Sequence, residues 1–212
     1  EELAIMKEQL DLFKECDAPC IVFAEVTGSI QGEVKTPLSK RPILNNEEWK
    51  NFYYKINEIS KHMEDSGMPL AYHHHMGTVV QSQEDTERLI DNTSDTVRLL
   101  IDTGHMMFAG GDFVKIAKDY SSRLHHIHCK DIRKDVLENS LKDDLSFIDA
   151  FFAGAFTVPG DGCIDYEIFL KLLKDFNYNG WLVVEAEQDP RKANPLEYGK
   201  IGFNHLKKIA LN

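Results

Sequence analysis

Residues 97–105 read VRLLIDTGH. A short run as apolar as VRLLI has the character of a strand covered on both faces. It nevertheless ends in an aspartate and a histidine, groups that an apolar strand has no packing reason to carry. Four other segments repeat the pattern: CIVFAEV at 20–26, PLAYHHH at 69–75, LHHIHCKD at 124–131 and GWLVVEAE at 180–187.

Helix signals alternate with these runs. Leu3, Met6, Leu10 and Phe13 recur at helical spacing. Asn45 with Glu48 opens a helix reaching about His62, and Ser82 with Asp85 opens another. Asp112 caps a helix through about Tyr120, Asp165 caps Tyr166–Asp175, and Pro195 stands in the first turn of a closing helix. A helix-rich insertion containing SFIDAFFAG, then a PGDGCI loop, separates the fourth strand from the fifth. Strands alternating with helices argue for a parallel sheet covered by helices, and in parallel architectures the active groups gather at the carboxyl ends of the strands.

Composition narrows the function classes. Of 212 residues, 42% are hydrophobic and 28% charged, the balance of a folded domain. A formal charge of -11 argues against nucleic acid or an anionic membrane, which bind clustered Lys and Arg. Four cysteines without CxxC spacing suggest reduced thiols in a cytoplasmic protein. No apolar stretch approaches the roughly 18 residues of a membrane span. Phe108 and Trp181 read as core residues.

Residues two apart on a strand share a face. The strand ends therefore present His73 with His75, Asp102 alone, His126 with His128 and Lys130, and Glu185 with Glu187. Two histidines and two carboxylates converging in this way suit Mn²⁺ or Co²⁺ first, with Zn²⁺ a further candidate, whereas Mg²⁺ or Ca²⁺ favours oxygen alone. Blander accounts exist for each piece. Asp102 could cap the loop that follows it, Glu187 and Lys130 could be a solvated ion pair, and Lys130 could be a counter-charge for Asp131. Chance is a weaker account when four successive strands end alike.

The segments AYHHHMGTVVQ, LLIDTGHMMFAGGD, HIHCKDIR, FTVPGDGCIDY and GWLVVEAEQDP, taken in order, resemble the inosose dehydratases of the xylose-isomerase-like superfamily. The resemblance runs from about Phe23 to the C-terminus. It implies an α/β fold, a xylose-isomerase-like (β/α)8 TIM barrel in which residues 1–212 form a single domain supplying about five C-terminal strands. The first three strands are then expected to be missing, or replaced by another chain, since such a barrel takes about 250 residues.

The resemblance also implies metal ligands Asp102, His128 and Glu185, with His73 standing where relatives commonly carry a glutamate. His74 should face the other way, into packing. His75, His105, Lys130 and Glu187 are the acid–base candidates, and Glu25 and Arg133 the expected substrate-binding groups. The implied reaction is dehydration of a small cyclic polyol ketone, scyllo-inosose, by a homo-oligomer. Glutathione is implied as an accessory, with no residue to hold it. The runners-up are a sugar-ketone isomerase or epimerase on the same scaffold, and a barrel fragment without catalysis.

Overall fold

The computed structural model describes residues 2–211. A helix at Glu2–Glu15 (α1) leads into β1 (Ile21–Phe23), and α2 (Asn46–Asp65) crosses over to β2 (Leu70–His73). Then α3 (Gln83–Asp91) leads to β3 (Val97–Asp102), and α4 (Thr103–Phe108) with α5 (Phe113–Asp119) leads to β4 (Leu124–Cys129). The insertion comprises β5 (Asp131–Ile132), α6 (Lys134–Lys142), α7 (Phe147–Ala153) and β6 (Phe156–Thr157). The chain closes with α8 (Tyr166–Asp175), β7 (Leu182–Val184) and α9 (Pro195–Ala210). Among the described residues no helix is long and apolar enough to cross a membrane.

Five strands pair in the order β1-β2-β3-β4-β7, every neighbour parallel, and β5 pairs with β6 antiparallel. This is the α/β fold of a TIM barrel, present as a five-strand arc. The helix starts follow the local chemistry. Asn45 accepts from the Glu47 and Glu48 N–H groups while Glu48 reaches back to the Asn45 N–H, and Ser82 with Asp85 forms the same reciprocal cap. Asp112 and Asp165 cap α5 and α8, and Pro195 occupies the first turn of α9.

Alternation along the strands separates two faces. Leu70, Tyr72, Leu99, Ile101, Ile127 and Cys129 face the helices and lie in the two large apolar clusters. Cys20, Ala71 and Leu100 pack together on the other, concave face. One irregularity sets the phase of β4. Leu99 pairs with Leu124 but Leu100 pairs with His126, so His125 is an extra residue. This bulge leaves Leu124 with the helix-side core and turns His126 and His128 to the concave face. Simple alternation from Leu124 would have misassigned one or the other.

Several expectations need correction. The strand at 97–105 ends at Asp102, and His105 belongs to α4, because the Asp102 side chain caps that helix directly. β2 ends at His73, and His75 has left the sheet for a loop closed by its N–H on the Val80 carbonyl. β7 has only three residues. Phe108 is core, but Trp181 is 62% exposed at the entrance to β7, which is an edge strand of this sheet. Leu10 is buried and Phe13 half-buried as expected of α1, whereas the Leu3 and Met6 side chains fall outside the described ones.

Asp131 is not the partner of Lys130. Its Oδ1 accepts from the Ile132 and Ile164 N–H groups at 2.8 and 2.9 Å, and its Oδ2 from Gly160 N–H at 3.1 Å. The carboxylate thus moulds the PGDGCI loop around itself. A Cβ on Gly162 would lie 2.2 Å from Asp131 Oδ1 and 2.6 Å from the Ile132 carbonyl oxygen, so only glycine fits. Gly162→Ala is expected to destabilise the protein by about 1–3 kcal/mol through this clash, read as a lower urea midpoint with unchanged slope.

Candidate metal centre

His73, Asp102, His128 and Glu185 come from the ends of β2, β3, β4 and β7, on the concave face. Asp102 pairs in register with His128, His128 with Val183, and the Glu185 N–H continues the ladder onto the Cys129 carbonyl at 3.2 Å. One donor atom from each of the four lies within 4.8 Å of every other. His73 Nε2 is 3.7 Å from Asp102 Oδ2, and His128 Nδ1 is 3.6 Å from Asp102 Oδ2 and 2.9 Å from Glu185 Oε2. The His73 Nδ1 faces the His74 carbonyl at 2.5 Å. A carbonyl only accepts, so Nδ1 carries the proton and Nε2 presents its lone pair to the cluster.

The four residues DTGH at 102–105 each have a distinct task. Asp102 Oδ1 accepts the His105 N–H at 2.8 Å as a helix cap, which leaves Oδ2 for the cluster. Thr103 Oγ1 donates to the Lys130 carbonyl at 2.7 Å and accepts the Lys130 N–H at 3.1 Å, so the Tyr166 hydroxyl, 2.9 Å away, must donate to it. Gly104 leaves room for the Lys130 stem: a Cβ there would meet Lys130 Cγ at 2.7 Å. His105 Nε2 lies 2.9 Å from Lys130 Nζ and 3.2 Å from Glu187 Oε2.

Lys130 joins the four-residue cluster to a second one. Its fully buried ammonium is 3.1 Å from Asp102 Oδ2, 3.2 Å from Glu185 Oε2 and 2.8 Å from Glu187 Oε2. Burial alone would lower its pKa, but Asp102, Glu187 and Glu185 outweigh that and raise it above the ordinary lysine value. Burial likewise would raise Asp102 and Glu187, yet Lys130 and neighbouring imidazoles hold Asp102 well below the carboxylate range, and His105 and Lys130 do the same for Glu187. Burial takes the His73 imidazole well below its usual value, and burial with the Lys130 charge lowers His105. The second cluster, His75, His105 and Glu187, is filled by the Lys130 ammonium and walled by Phe147 and Phe156. Their ring centroids lie 5.7 and 5.4 Å from that of His105.

The donor set suits a divalent cation. Three carboxylates, Asp102, Glu185 and Glu187, face one ammonium, so acidic groups outnumber the Lys130 charge in the site. Asp102 Oδ2, Glu185 Oε2 and His128 Nδ1 are buried with no aligned hydrogen-bond partner among the described residues. The carboxylates compensate by holding a proton on His128: burial would lower its pKa, but Asp102 and Glu185 raise it to about 9. Two imidazoles with two carboxylates match Mn²⁺, Co²⁺ or Zn²⁺.

A family model described as the xylose isomerase-like TIM barrel matches residues 1–209. The chain belongs to the xylose isomerase-like TIM barrel family. Within it, the chain is 43% identical over 209 residues to the rhizopine catabolism protein MocC of Rhizobium meliloti, covering 99% of this chain and 64% of that one. It is 45% identical over 203 residues to an inosose dehydratase of Clostridium perfringens, covering 95% and 68% respectively. The chain thus spans about two thirds of the length of the curated relatives it matches. A solved structure of the IolI protein with a binding zinc atom superposes with a TM-score of 0.70 at 17% identity, covering 98% of this chain and 68% of that one.

Other residues singled out in the sequence have partners of their own. The Glu25 carboxylate accepts the Thr27 N–H at 2.6 Å, closing a turn beyond β1. The Arg133 guanidinium is engaged by Gly154 O at 2.8 Å, Thr157 Oγ1 at 3.0 Å and Asp161 Oδ2 at 2.6 Å, partners within its own insertion. His126 has Nδ1 3.7 Å from Cys20 Sγ, and burial with the neighbouring His128 lowers its pKa to about 4. His74 is fully buried, and its Nε2 accepts the Asp102 N–H at 3.2 Å. The aromatic wall and the Thr103–Tyr166 bond were not anticipated, because they join segments far apart in sequence.

His74→Gln retains an acceptor and is expected to leave bound metal near the wild-type content. His73→Ala should weaken binding by on the order of tenfold or more. Elemental analysis after dialysis against Mn²⁺ separates them, and the reverse order would mean that His74 is the ligand.

Proposed function

We propose that this chain carries the active site of a metal-dependent hydro-lyase that dehydrates scyllo-inosose to a trihydroxycyclohexane-1,2-dione. The observation that carries the reading is the junction of the His73–Asp102–His128–Glu185 cluster with His75, His105, Glu187 and Lys130. The 45% identity to an inosose dehydratase supports this substrate. In this reading the protein works in the cytoplasm, consistent with four free cysteines. Residues 1–212 then belong to one barrel domain.

His73, Asp102, His128 and Glu185 would hold the ion, which when bound supplies a Lewis acid for the ketone oxygen. The residues around it supply the proton chemistry. His75 Nδ1 faces the Met76 carbonyl at 2.8 Å and so carries the proton, leaving the Nε2 lone pair free. The His75 side chain is 17% exposed and that of His105 is wholly buried, so His75 is the imidazole open to a bound substrate.

We assign His75 as the base that takes the proton from the α-carbon. The electron pair of that C–H bond forms the new C=C bond as the β-hydroxyl departs. Glu187 Oε1, 3.5 Å from His75 Nε2, stabilises the imidazolium until it passes that proton to the departing β-hydroxyl, which leaves as water and restores the neutral base. The Lys130 ammonium, held among the Asp102, Glu185 and Glu187 carboxylates, supplies positive charge that stabilises negative charge on oxygen during the step. The α-carbon already bears a hydroxyl, so the alkene is an enol and tautomerises to the dione.

Metal-loaded protein given inosose in deuterated water should form a dione that absorbs in the ultraviolet. Glu185→Gln should lose metal and turnover together. Lys130→Met should lower kcat by about 100-fold or more with metal retained. Deuterium entering the recovered ketone without loss of water would move the chain to the isomerase and epimerase class.

A further inference from the structure

The paired strand of β7 ends near Glu185, yet Glu187 holds Lys130, His105 and His75 from two residues farther on. A carboxylate beyond the ladder needs another restraint, because lost order of about 1 Å is costly in an active site. The adjoining side chain provides it. Gln188 Nε2 donates to Thr157 Oγ1 at 3.2 Å, and Thr157, at the end of β6, is wholly buried.

The Thr157 hydroxyl has a defined direction. It donates to Asp161 Oδ2 at 2.6 Å, since an ionised carboxylate only accepts. Its lone pairs are therefore turned to the donors around it, Arg133 Nη2 at 3.0 Å and Gln188 Nε2. Arg133 Nη2 also donates to Asp161 Oδ2 at 2.6 Å, and Arg133 Nη1 to Gly154 O at 2.8 Å. The Arg133 N–H is bonded to the Ala155 carbonyl at 2.9 Å. Asp161 lies in the turn that follows β6, where its N–H bonds the Val158 carbonyl at 3.1 Å. One hydroxyl thus joins the insertion between β4 and α8 to the segment after β7.

We propose that Thr157 and Gln188 are positioning residues that hold Glu187 against Lys130, His105 and His75, with Arg133 and Asp161 orienting the Thr157 hydroxyl. This gives the arginine expected at the substrate a different task. It acts two bonds away, through the threonine. The inference rests on the dehydratase reading for its kinetic test alone, since the position of Glu187 can be seen without turnover.

The decisive variants are Thr157→Val, which keeps the shape and removes the hydroxyl, Thr157→Ser, which restores it, and Gln188→Met, which removes the donor from the other side. Arg133 and Asp161 remain paired with each other in all three. With inosose as substrate and Mn²⁺ loaded, Thr157→Val and Gln188→Met should each lower kcat on the order of 10-fold, with KM and metal content near wild type. Thr157→Ser should recover most of the loss. The double variant should lose no more than either single one, because both break the same link.

Crystal structures of the single variants should show the Glu187 carboxylate displaced or disordered while His73, Asp102, His128 and Glu185 stay in place. Additive losses, a serine variant no better than valine, or a Glu187 that stays in position in both variants would each overturn the proposal. If wild-type protein does not dehydrate inosose, the dehydratase reading fails and the crystallographic comparison alone decides this one.

Discussion

The buried ammonium of Lys130 is the interaction around which the site is organised. It stands within 3.2 Å of carboxylate oxygens from Asp102, Glu185 and Glu187, with no exposure to solvent. A lone charge in such a place would be expelled or neutralised, and each of these carboxylates would be costly there without it. Their mutual presence makes the arrangement stable. Much of the local architecture serves to deliver this one group. Thr103 grips the Lys130 backbone through both N–H and carbonyl, Gly104 clears its stem, and Phe156 places a ring face 5.6 Å from the ammonium.

Balance of charge explains why a metal and an acid–base group can be neighbours here. Lys130 balances one of three carboxylates and leaves acidic groups in excess for a divalent ion. The imidazoles divide by their second nitrogen. His73 donates its Nδ1–H to the His74 carbonyl and His75 its Nδ1–H to the Met76 carbonyl, so each directs a lone pair from Nε2. His73 directs it at Asp102 and the cluster, His75 at Glu187 and the space beside it. In each case the carbonyl of the following residue therefore sets the tautomer, for two histidines with different tasks.

The insertion between β4 and α8 is as much a part of the site as the strands. Asp131 gathers the backbone N–H groups of the PGDGCI loop, Arg133 and Asp161 orient Thr157, and Phe147 and Phe156 wall off His105. A side of the second cluster is thereby apolar, which strengthens the ion pairs within it.

The parallel sheet, the helix starts and the ionisable strand ends were legible in the sequence, and the family resemblance singled out His73, Asp102, His128 and Glu185 among those ends. The first three follow from short-range rules: apolar runs with period two, side chains that cap their own helices, and ionisable residues with no packing reason to end a strand. The bulge at His125, the transfer of His105 to a helix and the departure of His75 from the sheet were not, because strand register and strand ends depend on the neighbouring strand. The partner of Lys130 and the task of Arg133 lay further from view. Asp131 is adjacent to Lys130 in sequence but is claimed by backbone N–H groups up to 33 residues away, and Lys130 finds Glu187 at a separation of 57. Sequence by itself determined which groups could meet on one face. Only the tertiary structure decided which of them share a proton or a charge, because pairing within about 3 Å depends on where distant loops bring their donors.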